Sequence, residues 1–221
     1  MNFDLVIFDC DGVLIDSEVI SARVLVEVAA EAGIAFDADY VAEHFLGRSF
    51  PTVARTIRDS FGRDLPPDFE EQYRTRLLAR FESELRPTPG ILPVLRRLAV
   101  PACVATSSSP PRAARSLQIA GLDRLLPQVF TASLVPRGKP APDLFLHAAR
   151  AMGAAPARCL VLEDSRPGIE AARAAGMAVA LYAGGAHMRG RRFADPPPHV
   201  LESWPDFAAA FPGLLREEVP S

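Results

Sequence analysis

The sequence predicts an α/β protein with a doubly wound parallel sheet and a helical domain inserted after the first strand. From about residue 91 onward, short apolar runs alternate with helical stretches, as they do in parallel-sheet proteins. Before that point, about seventy residues show helical periodicity and no strand-like run. A length of 221 residues and a hydrophobic content of 49% suit one such domain with an insert.

The first apolar run, Leu5–Phe8, predicts a fully buried strand because it is short, β-branched and aromatic. Asp9 and Asp11 follow it, and Gly12 then lets the backbone turn sharply. Two like charges are costly to bury unless a cation lies between them or one stays protonated. The pair therefore favours an oxygen-preferring metal such as Mg²⁺. A calcium loop would need another acidic or amide residue before the glycine, whereas an ordinary acidic turn is an alternative that these residues leave open.

The predicted helical domain covers residues 17–86, so that the core consists of residues 1–16 and 87–221. Apolar residues at helical spacing indicate its first helix, which ends near Gly33. An insert of this length exceeds the dozen or so residues that a crossover between parallel strands needs, which predicts a separate domain. Glycines and paired prolines separate three further helical stretches, Ala38–Phe45, Pro51–Phe61 and Pro67–Leu85.

After Gly90 the sequence alternates between helices and strands, and right-handed crossovers between parallel strands then give the doubly wound sheet. Several of the predicted helices begin at a proline and end at a glycine, as helix capping favours. A last short strand and a closing helix are expected around Trp204–Phe211. The predicted helices are Ile91–Leu98, Pro111–Ala120, Pro142–Met152 and Pro167–Ala175. The predicted strands are Ala102–Thr106, Val129–Ala132, Cys159–Leu162 and Met177–Leu181.

Two loops that follow predicted strands carry polar groups. Ser107–Ser109 follow the strand that ends at Thr106 and precede a helix. Hydroxyl groups and free backbone N–H groups at the start of a helix form an anion site, although a plain polar loop fits these residues equally well. Glu163 and Asp164 follow the strand Cys159–Leu162, and they fit either metal ligation or an acidic helix cap.

Lys139 is the sole lysine among 24 basic residues, and all the others are arginine. In a chain that uses arginine wherever either would serve, we expect the lysine where a compact ammonium group is required. A leftover surface lysine is the alternative. Because open α/β sheets bind ligands beyond the carboxyl ends of their strands, we expect Lys139, both acidic pairs and the serine loop to meet at one edge.

Charge and composition exclude several classes of protein. The net charge of −3 offers no basic surface to nucleic acid, and no apolar run is long enough to span a bilayer. The N-terminus lacks the features of a cleavable signal. Cys10, Cys103 and Cys159 lie in or beside predicted buried strands, which predicts free thiols in a reducing cytoplasm. We expect a cytoplasmic monomer or weak dimer without nucleic-acid or membrane partners.

Other polar residues give weaker signals. Arg48, beside Gly47 in the helical domain, could clamp a carboxylate or a second phosphate of a substrate, and solvation at the surface is the alternative. Arg189–Arg192 is interpreted as a solvated turn. The histidines are scattered and no pair has the spacing of metal ligands, so we assign no catalytic role to His44, His147, His187 or His199.

In their order and spacing, these motifs resemble the haloacid dehalogenase (HAD) superfamily. The shared elements are D-x-D-G-x-L-x-D-S, a strand ending in serine, G-K-P and E-D-S-x-x-G. The resemblance covers all but about the last twenty residues and implies a Rossmann-like HAD core with an inserted helical cap domain. The chain is most similar to the β-phosphoglucomutase-like group of sugar-phosphate phosphatases. Phe8–Ile20 and Phe81–Leu85 resemble bacterial 6-phosphogluconate phosphatases, whereas the serine loop and Glu163 depart from that pattern.

The resemblance implies a role for each acidic residue. Asp9 would attack phosphorus and become an aspartyl phosphate. Asp11 would protonate the leaving alkoxide and then deprotonate the attacking water. Mg²⁺ would be held by Asp9, the backbone carbonyl of Asp11 and Asp164, with Glu163 assisting.

The same resemblance implies that Ser107 and Lys139 bind the oxygens of the transferring phosphoryl group. Further contacts with the substrate are expected at Gly12, Gly47, Arg48 and Ser108.

The predicted activity is that of a Mg²⁺-dependent phosphatase acting on a small phosphorylated metabolite, a sugar or sugar-acid phosphate such as 6-phosphogluconate. The alternatives are a phosphoglycolate phosphatase, a mutase that passes the phosphoryl group to a sugar, and a non-catalytic binding module on the same fold. A dehalogenase would have no use for a metal or for Asp11 as an acid.

Overall fold

The computed structural model describes residues 2–45 and 48–217. Within these ranges it contains a six-stranded parallel sheet with strand order β3-β2-β1-β4-β5-β6, an order typical of doubly wound folds. The predicted fold class is confirmed, and the predicted strands end within one residue of the observed ones. The strands are β1 (Leu5–Phe8), β2 (Ala102–Thr106), β3 (Val129–Thr131), β4 (Cys159–Glu163), β5 (Ala178–Tyr182) and β6 (His199–Leu201).

The helices also agree with the sequence prediction, with ends that differ by no more than about two residues. The first four follow β1 along the chain: α1 (Glu18–Glu31), α2 (Ala38–His44), α3 (Phe50–Phe61) and α4 (Phe69–Glu84). The others are α5 (Ile91–Arg97), α6 (Pro110–Ile119), α7 (Asp143–Ala151), α8 (Arg166–Ala174) and α9 (Trp204–Ala210).

Alternation along β1 shows how the sheet is covered on both faces. Val6 and Phe8 point into one apolar cluster, while Leu5 and Ile7 point into the other. The first cluster also contains buried side chains of the four helices that follow β1, including Leu25, Ile57, Leu77 and Phe81. These helices therefore share their core with one face of the sheet.

Strand β1 lies in the centre of the sheet, between β2 and β4. Phe8, its last residue, is in register with Val104 of β2 and Leu162 of β4. The chain order reverses direction across the sheet at β1, and such a switch point is where open α/β sheets bind ligands. Side chains that follow β1, β2 and β4 are thereby brought to one place.

Thr88, in the segment that follows the four helices, holds the loop after Asp11 in place. Thr88 Oγ1 donates to the carbonyl oxygen of Val13 (2.6 Å) and accepts from the indole nitrogen of Trp204 (2.8 Å). Beside it, the chain entering the helices pairs with the chain leaving them through an antiparallel bridge between Ile15 and Pro87. The points at which the chain enters and leaves the four helices are therefore adjacent.

The three cysteines are buried free thiols, as predicted. No helix in the described part of the chain combines the length and the apolar composition that crossing a bilayer requires.

Candidate active site

Lys139 is buried between two carboxylates at the carboxyl ends of β1 and β4. Its Nζ donates to Asp9 Oδ1 (2.5 Å), to Glu163 Oε1 (2.6 Å) and to the carbonyl oxygen of Ala105 (3.0 Å), and its side chain is 1% exposed. Burial alone would lower the pKa of Lys139, but the charges of Asp9 and Glu163 more than offset it and raise that pKa. Lys139 is therefore a fixed positive charge beside Asp9.

Glu163 is held at the start of α8. Its Oε2 accepts hydrogen bonds from the backbone nitrogens of Asp164 (3.1 Å) and Ser165 (3.0 Å) and from the Ser165 hydroxyl group (2.9 Å). A Cβ atom at Gly168 would lie 1.8 Å from Glu163 Oε1, so only glycine leaves room for this carboxylate. Both oxygens of Glu163 thus have donors, which makes it a firm support for Lys139.

Asp9, Glu163 and Asp164 form a buried acidic cluster in which one ligand atom from each residue lies within 4.8 Å of the others. Burial raises the pKa of Asp9 well above its ordinary value, Lys139 offsets part of this, and the other two carboxylates raise it further. Burial and Glu163 likewise raise the pKa of Asp164. A divalent cation among these oxygens would remove the repulsion, so the donor set fits a hard metal such as Mg²⁺.

The Asp11 carboxylate faces away from this cluster and accepts three hydrogen bonds. The donors are Ser17 Oγ (2.6 Å), Ser108 Oγ (2.7 Å) and Arg112 Nη2 (2.8 Å). Burial alone would raise the pKa of Asp11, but Arg112 and the two hydroxyl groups outweigh it and hold that pKa below its ordinary value. The side chain of Asp11 is therefore engaged by these three donors. This leaves the backbone carbonyl oxygen of Asp11 as its expected metal ligand, in line with the sequence-based expectation.

Arg112 is a site residue that the sequence analysis missed. It lies in the first turn of α6 and also donates to Ser21 Oγ (3.2 Å), and its guanidinium group lies 5.8 Å from the centre of the Phe81 ring. Its side chain is 17% exposed. In a chain with so many arginines, the usable signal was its place three residues after Ser109, in the helix that follows the serine loop.

One histidine lies beside the acidic cluster. His187 was given no role, but its Nε2 lies 2.7 Å from Asp164 Oδ2, and both side chains are 5% exposed. Its partner is a carboxylate in another loop rather than a second histidine, so a search for paired histidines could not find it.

A cavity of about 400 Å³ lies between this sheet edge and the four helices that follow β1. Asp9, Asp11 and the serine loop 107–109 line one wall, and apolar side chains of α2 and α3 line another. Arg48 lines the cavity and is exposed. Gly12 lies against Asp164 and His187 instead, and Gly47 falls outside the described residues.

Glu18 is a second cavity residue that the sequence analysis missed. It is the first residue of α1 and is 7% exposed. Its pKa is raised to about 8, chiefly by burial and also by the charges of Asp11 and Asp164, while His187 and Arg112 act in the opposite direction. At neutral pH this carboxyl group is therefore mostly protonated and can donate a hydrogen bond.

Comparison with known proteins agrees with this arrangement. The chain matches the haloacid dehalogenase-like hydrolase family over residues 3–176. It is 31% identical over 188 residues to 6-phosphogluconate phosphatase from Escherichia coli (strain K12), which covers 84% of this chain and 85% of that protein. It is 34% identical over 176 residues to hexitol phosphatase A from the same organism, with 77% and 78% covered. A crystal structure of a HAD family hydrolase from Deinococcus radiodurans R1, with bound phosphate and sodium, is 35% identical with a TM-score of 0.72, covering 98% of this chain and 99% of that one.

The chain belongs to the haloacid dehalogenase-like hydrolase family. Within that family it is an enzyme, a phosphoric monoester hydrolase. The resemblance that the motifs indicated, including the similarity to 6-phosphogluconate phosphatases, is confirmed.

Lys139→Arg should lower kcat/KM by roughly 10²-fold or more, because the larger planar group cannot take the place of Nζ between two carboxylates. The matched control is Arg137→Lys in the same loop, an exposed residue paired with Asp143. Steady-state kinetics on any accepted phosphate ester measure both variants. Near-normal activity of Lys139→Arg would contradict the argument for a required ammonium group.

Glu18→Gln should stabilise the protein at high pH. The folded-state pKa of Glu18 is raised from 4.5 to about 8, so folding retains a proton that the unfolded chain releases. Its contribution to the free energy of unfolding is therefore largest below about pH 4.5 and falls as pH rises to about 8, by up to about 5 kcal/mol. The melting temperature of Glu18→Gln relative to the wild type should rise more at pH 8.5 than at pH 5.

The control for this measurement is Glu31→Gln on the exposed end of α1. The hydrogen bond from Arg76 lowers the pKa of Glu31, so its contribution has the opposite sign and is present at high pH. Parallel pH profiles for wild type and Glu18→Gln would show that Glu18 titrates normally in the folded protein.

Proposed function

We propose that this protein is a Mg²⁺-dependent phosphatase that hydrolyses a sugar or sugar-acid phosphate through an aspartyl phosphate on Asp9. The observation that carries the proposal is the setting of Asp9 at the floor of the cavity. It lies beside the buried ammonium group of Lys139 and among carboxylates that fit a divalent metal. A nucleophilic carboxylate can attack a phosphoryl group only where positive charge offsets their repulsion.

In the first step, Asp9 would attack phosphorus while Lys139 and the serine loop bind the phosphoryl oxygens. Ser107 and Ser108 line the cavity just before α6, whose N-cap is Ser109, and backbone N–H groups at a helix start favour an anion. Asp9, Asp164 and the backbone carbonyl of Asp11 would hold Mg²⁺, with Glu163 supporting Lys139. When bound there, Mg²⁺ would supply the charge that lets a phosphate approach a carboxylate.

Asp11 would serve as acid in the first step and as base in the second. Its three donors keep it a carboxylate, which is the form that removes a proton from the attacking water. A phosphate dianion beside it would raise its pKa, as any nearby negative charge does, and favour the protonated form that the leaving alkoxide needs.

Residues 17–86 would form the cap domain, and the cavity between this segment and residues 1–16 and 87–221 would receive the leaving group. Glu18, Ser21, Tyr73 and Arg112 offer hydrogen-bonding groups there, as a polyhydroxylated leaving group requires. Arg48 would face the far end of an acidic substrate. Relatives named for 6-phosphogluconate and for hexitol phosphates are consistent with this class. The reduced state of the buried thiols suits the cytoplasm as the compartment.

Phosphate release from a panel of sugar, sugar-alcohol and sugar-acid phosphates, with phosphoglycolate included, tests this function. Activity should require Mg²⁺, disappear with EDTA and return when Mg²⁺ is restored. Asp9→Asn should abolish turnover of every ester while keeping the melting temperature within a few degrees of wild type. Full activity in EDTA or in Asp9→Asn would refute covalent, metal-assisted catalysis at this site.

Asp11→Asn should separate the two steps. It should slow aspartyl-phosphate formation from a sugar phosphate by about 10²–10⁴, the usual contribution of a general acid, because an alkoxide is a poor leaving group. With p-nitrophenyl phosphate the first step needs no acid, so a burst of p-nitrophenol should precede a slow steady rate.

Asp9→Asn is the control for the burst, because it lacks the nucleophile and should show none with either ester. Rapid-quench measurements give the burst amplitude per enzyme molecule. Equal slowing of both esters by Asp11→Asn, without a burst, would mean that Asp11 is not the acid–base residue.

A further inference from the structure

Arg112 reaches the carboxylate of Asp11 from α6 and contacts two other helices at the same time. Its Nη2 donates to Asp11 Oδ1 (2.8 Å) and to Ser21 Oγ of α1 (3.2 Å). Its guanidinium carbon lies 5.8 Å from the centre of the Phe81 ring of α4, and that ring is fully buried. These contacts with α1 and α4 fix the place of Nη2 beside Asp11.

The start of α6 sets the direction from which this side chain comes. Ser109 is the N-cap, with an extended backbone, and Pro110 and Pro111 are the first two residues of the helix. Because the proline ring fixes φ near the helical value, this helix start has little conformational freedom. Arg112 follows in the first turn and lines the cavity. Its guanidinium group is therefore a permanent positive charge at a defined place.

The three donors to Asp11 are divided unequally between its two oxygens. Oδ1 accepts two hydrogen bonds, from Arg112 Nη2 (2.8 Å) and Ser17 Oγ (2.6 Å). Within the described part of the chain, Oδ2 accepts one, from Ser108 Oγ (2.7 Å). A carboxylate oxygen has two lone-pair positions, so Oδ1 is fully occupied and Oδ2 keeps one position. Oδ2 can therefore hold a proton without the loss of a hydrogen bond, whereas Oδ1 cannot.

We infer that Arg112 is a positioning residue, which with Ser17 occupies Oδ1 of Asp11 and so assigns the proton transfer to Oδ2. This inference rests on the proposed function, in which Asp11 is the acid and the base. In the first step, the proton on Oδ2 passes to the leaving alkoxide as the bond from phosphorus to that oxygen breaks. In the second step, Oδ2 takes a proton from the water that attacks the aspartyl phosphate. Arg112 acts on both steps only through Asp11.

Arg112→Met keeps much of the length and apolar packing of the side chain and removes its donors. It should lower kcat/KM for a sugar phosphate by about 10–10²-fold, because a misdirected Asp11 protonates a poor leaving group inefficiently. With p-nitrophenyl phosphate, whose leaving group needs no proton, kcat/KM should fall much less. The sugar ester is 6-phosphogluconate, or a faster substrate if the panel shows one. The ratio of the two values, measured on one preparation, does not depend on the fraction of correctly folded protein.

Arg115→Met is the matched control on the same helix. Arg115 is exposed, and its guanidinium group pairs with Glu82 and Gln118 rather than with Asp11. Its removal should leave the ratio of the two kcat/KM values unchanged.

A double variant separates a positioning role from direct contact with the substrate. Arg112→Met added to Asp11→Asn should lower kcat/KM for the sugar ester no further than Asp11→Asn alone, because losses at residues that act as one unit are not additive. A further loss in the double variant, or an unchanged ratio of the two esters in Arg112→Met, would overturn the inference and leave the proposed function intact. Equal slowing of both esters by Asp11→Asn, without a burst, would overturn the acid–base role of Asp11 and the inference with it.

Discussion

The concentration of buried negative charge at the ends of β1 and β4 is the constraint on which this structure depends. Three unpaired, ionised carboxylates could not be buried this close together without cations, yet Asp9, Glu163 and Asp164 are. Lys139 neutralises part of this charge from one side by binding Asp9 and Glu163 together. The charge that remains fits a divalent metal. The fold therefore creates the need for both cations. The centre of the parallel sheet brings the carboxylates together, and only positive charge, from Lys139 and a metal, makes that arrangement stable.

The two aspartates of the first motif are supported by different cations, and this difference fits the separate roles proposed for them. Asp9 is bound by Lys139 on the sheet side, whereas Asp11 is bound by Arg112 from α6. Beside this compact ammonium group Asp9 still lines the cavity, as its proposed role as nucleophile requires. The guanidinium group spans Asp11, Ser21 and the Phe81 ring, so it joins the acid–base candidate to the helices that cover the cavity.

The fold and the acidic part of the site could be predicted from the sequence because their signals are local. Apolar runs, helical spacing and motifs at strand ends each occupy a few consecutive residues. Lys139 was visible because lysine is so rare in this chain. Arg112 and His187 were missed for the opposite reason: each contacts an aspartate far away in sequence, and neither residue type nor spacing distinguishes it. Glu18 was missed because burial, which raises its pKa, is a property of the folded chain.

The bridge between Ile15 and Pro87, with Thr88 beside it, has a consequence for how this enzyme could change over time. The chain enters and leaves the four helices at neighbouring points. The distance between these two points therefore does not depend on the length or structure of the inserted segment. A segment of another length or sequence could be exchanged at that junction at little entropic cost, as at other sites where inserted segments have adjacent ends. Asp9, Lys139 and the acidic cluster lie outside the exchanged segment, whereas Ser17, which donates to Asp11, lies inside it. On the proposed function, such a replacement would change the surroundings of Asp11 and of the leaving group and would keep the nucleophile and its supporting charges.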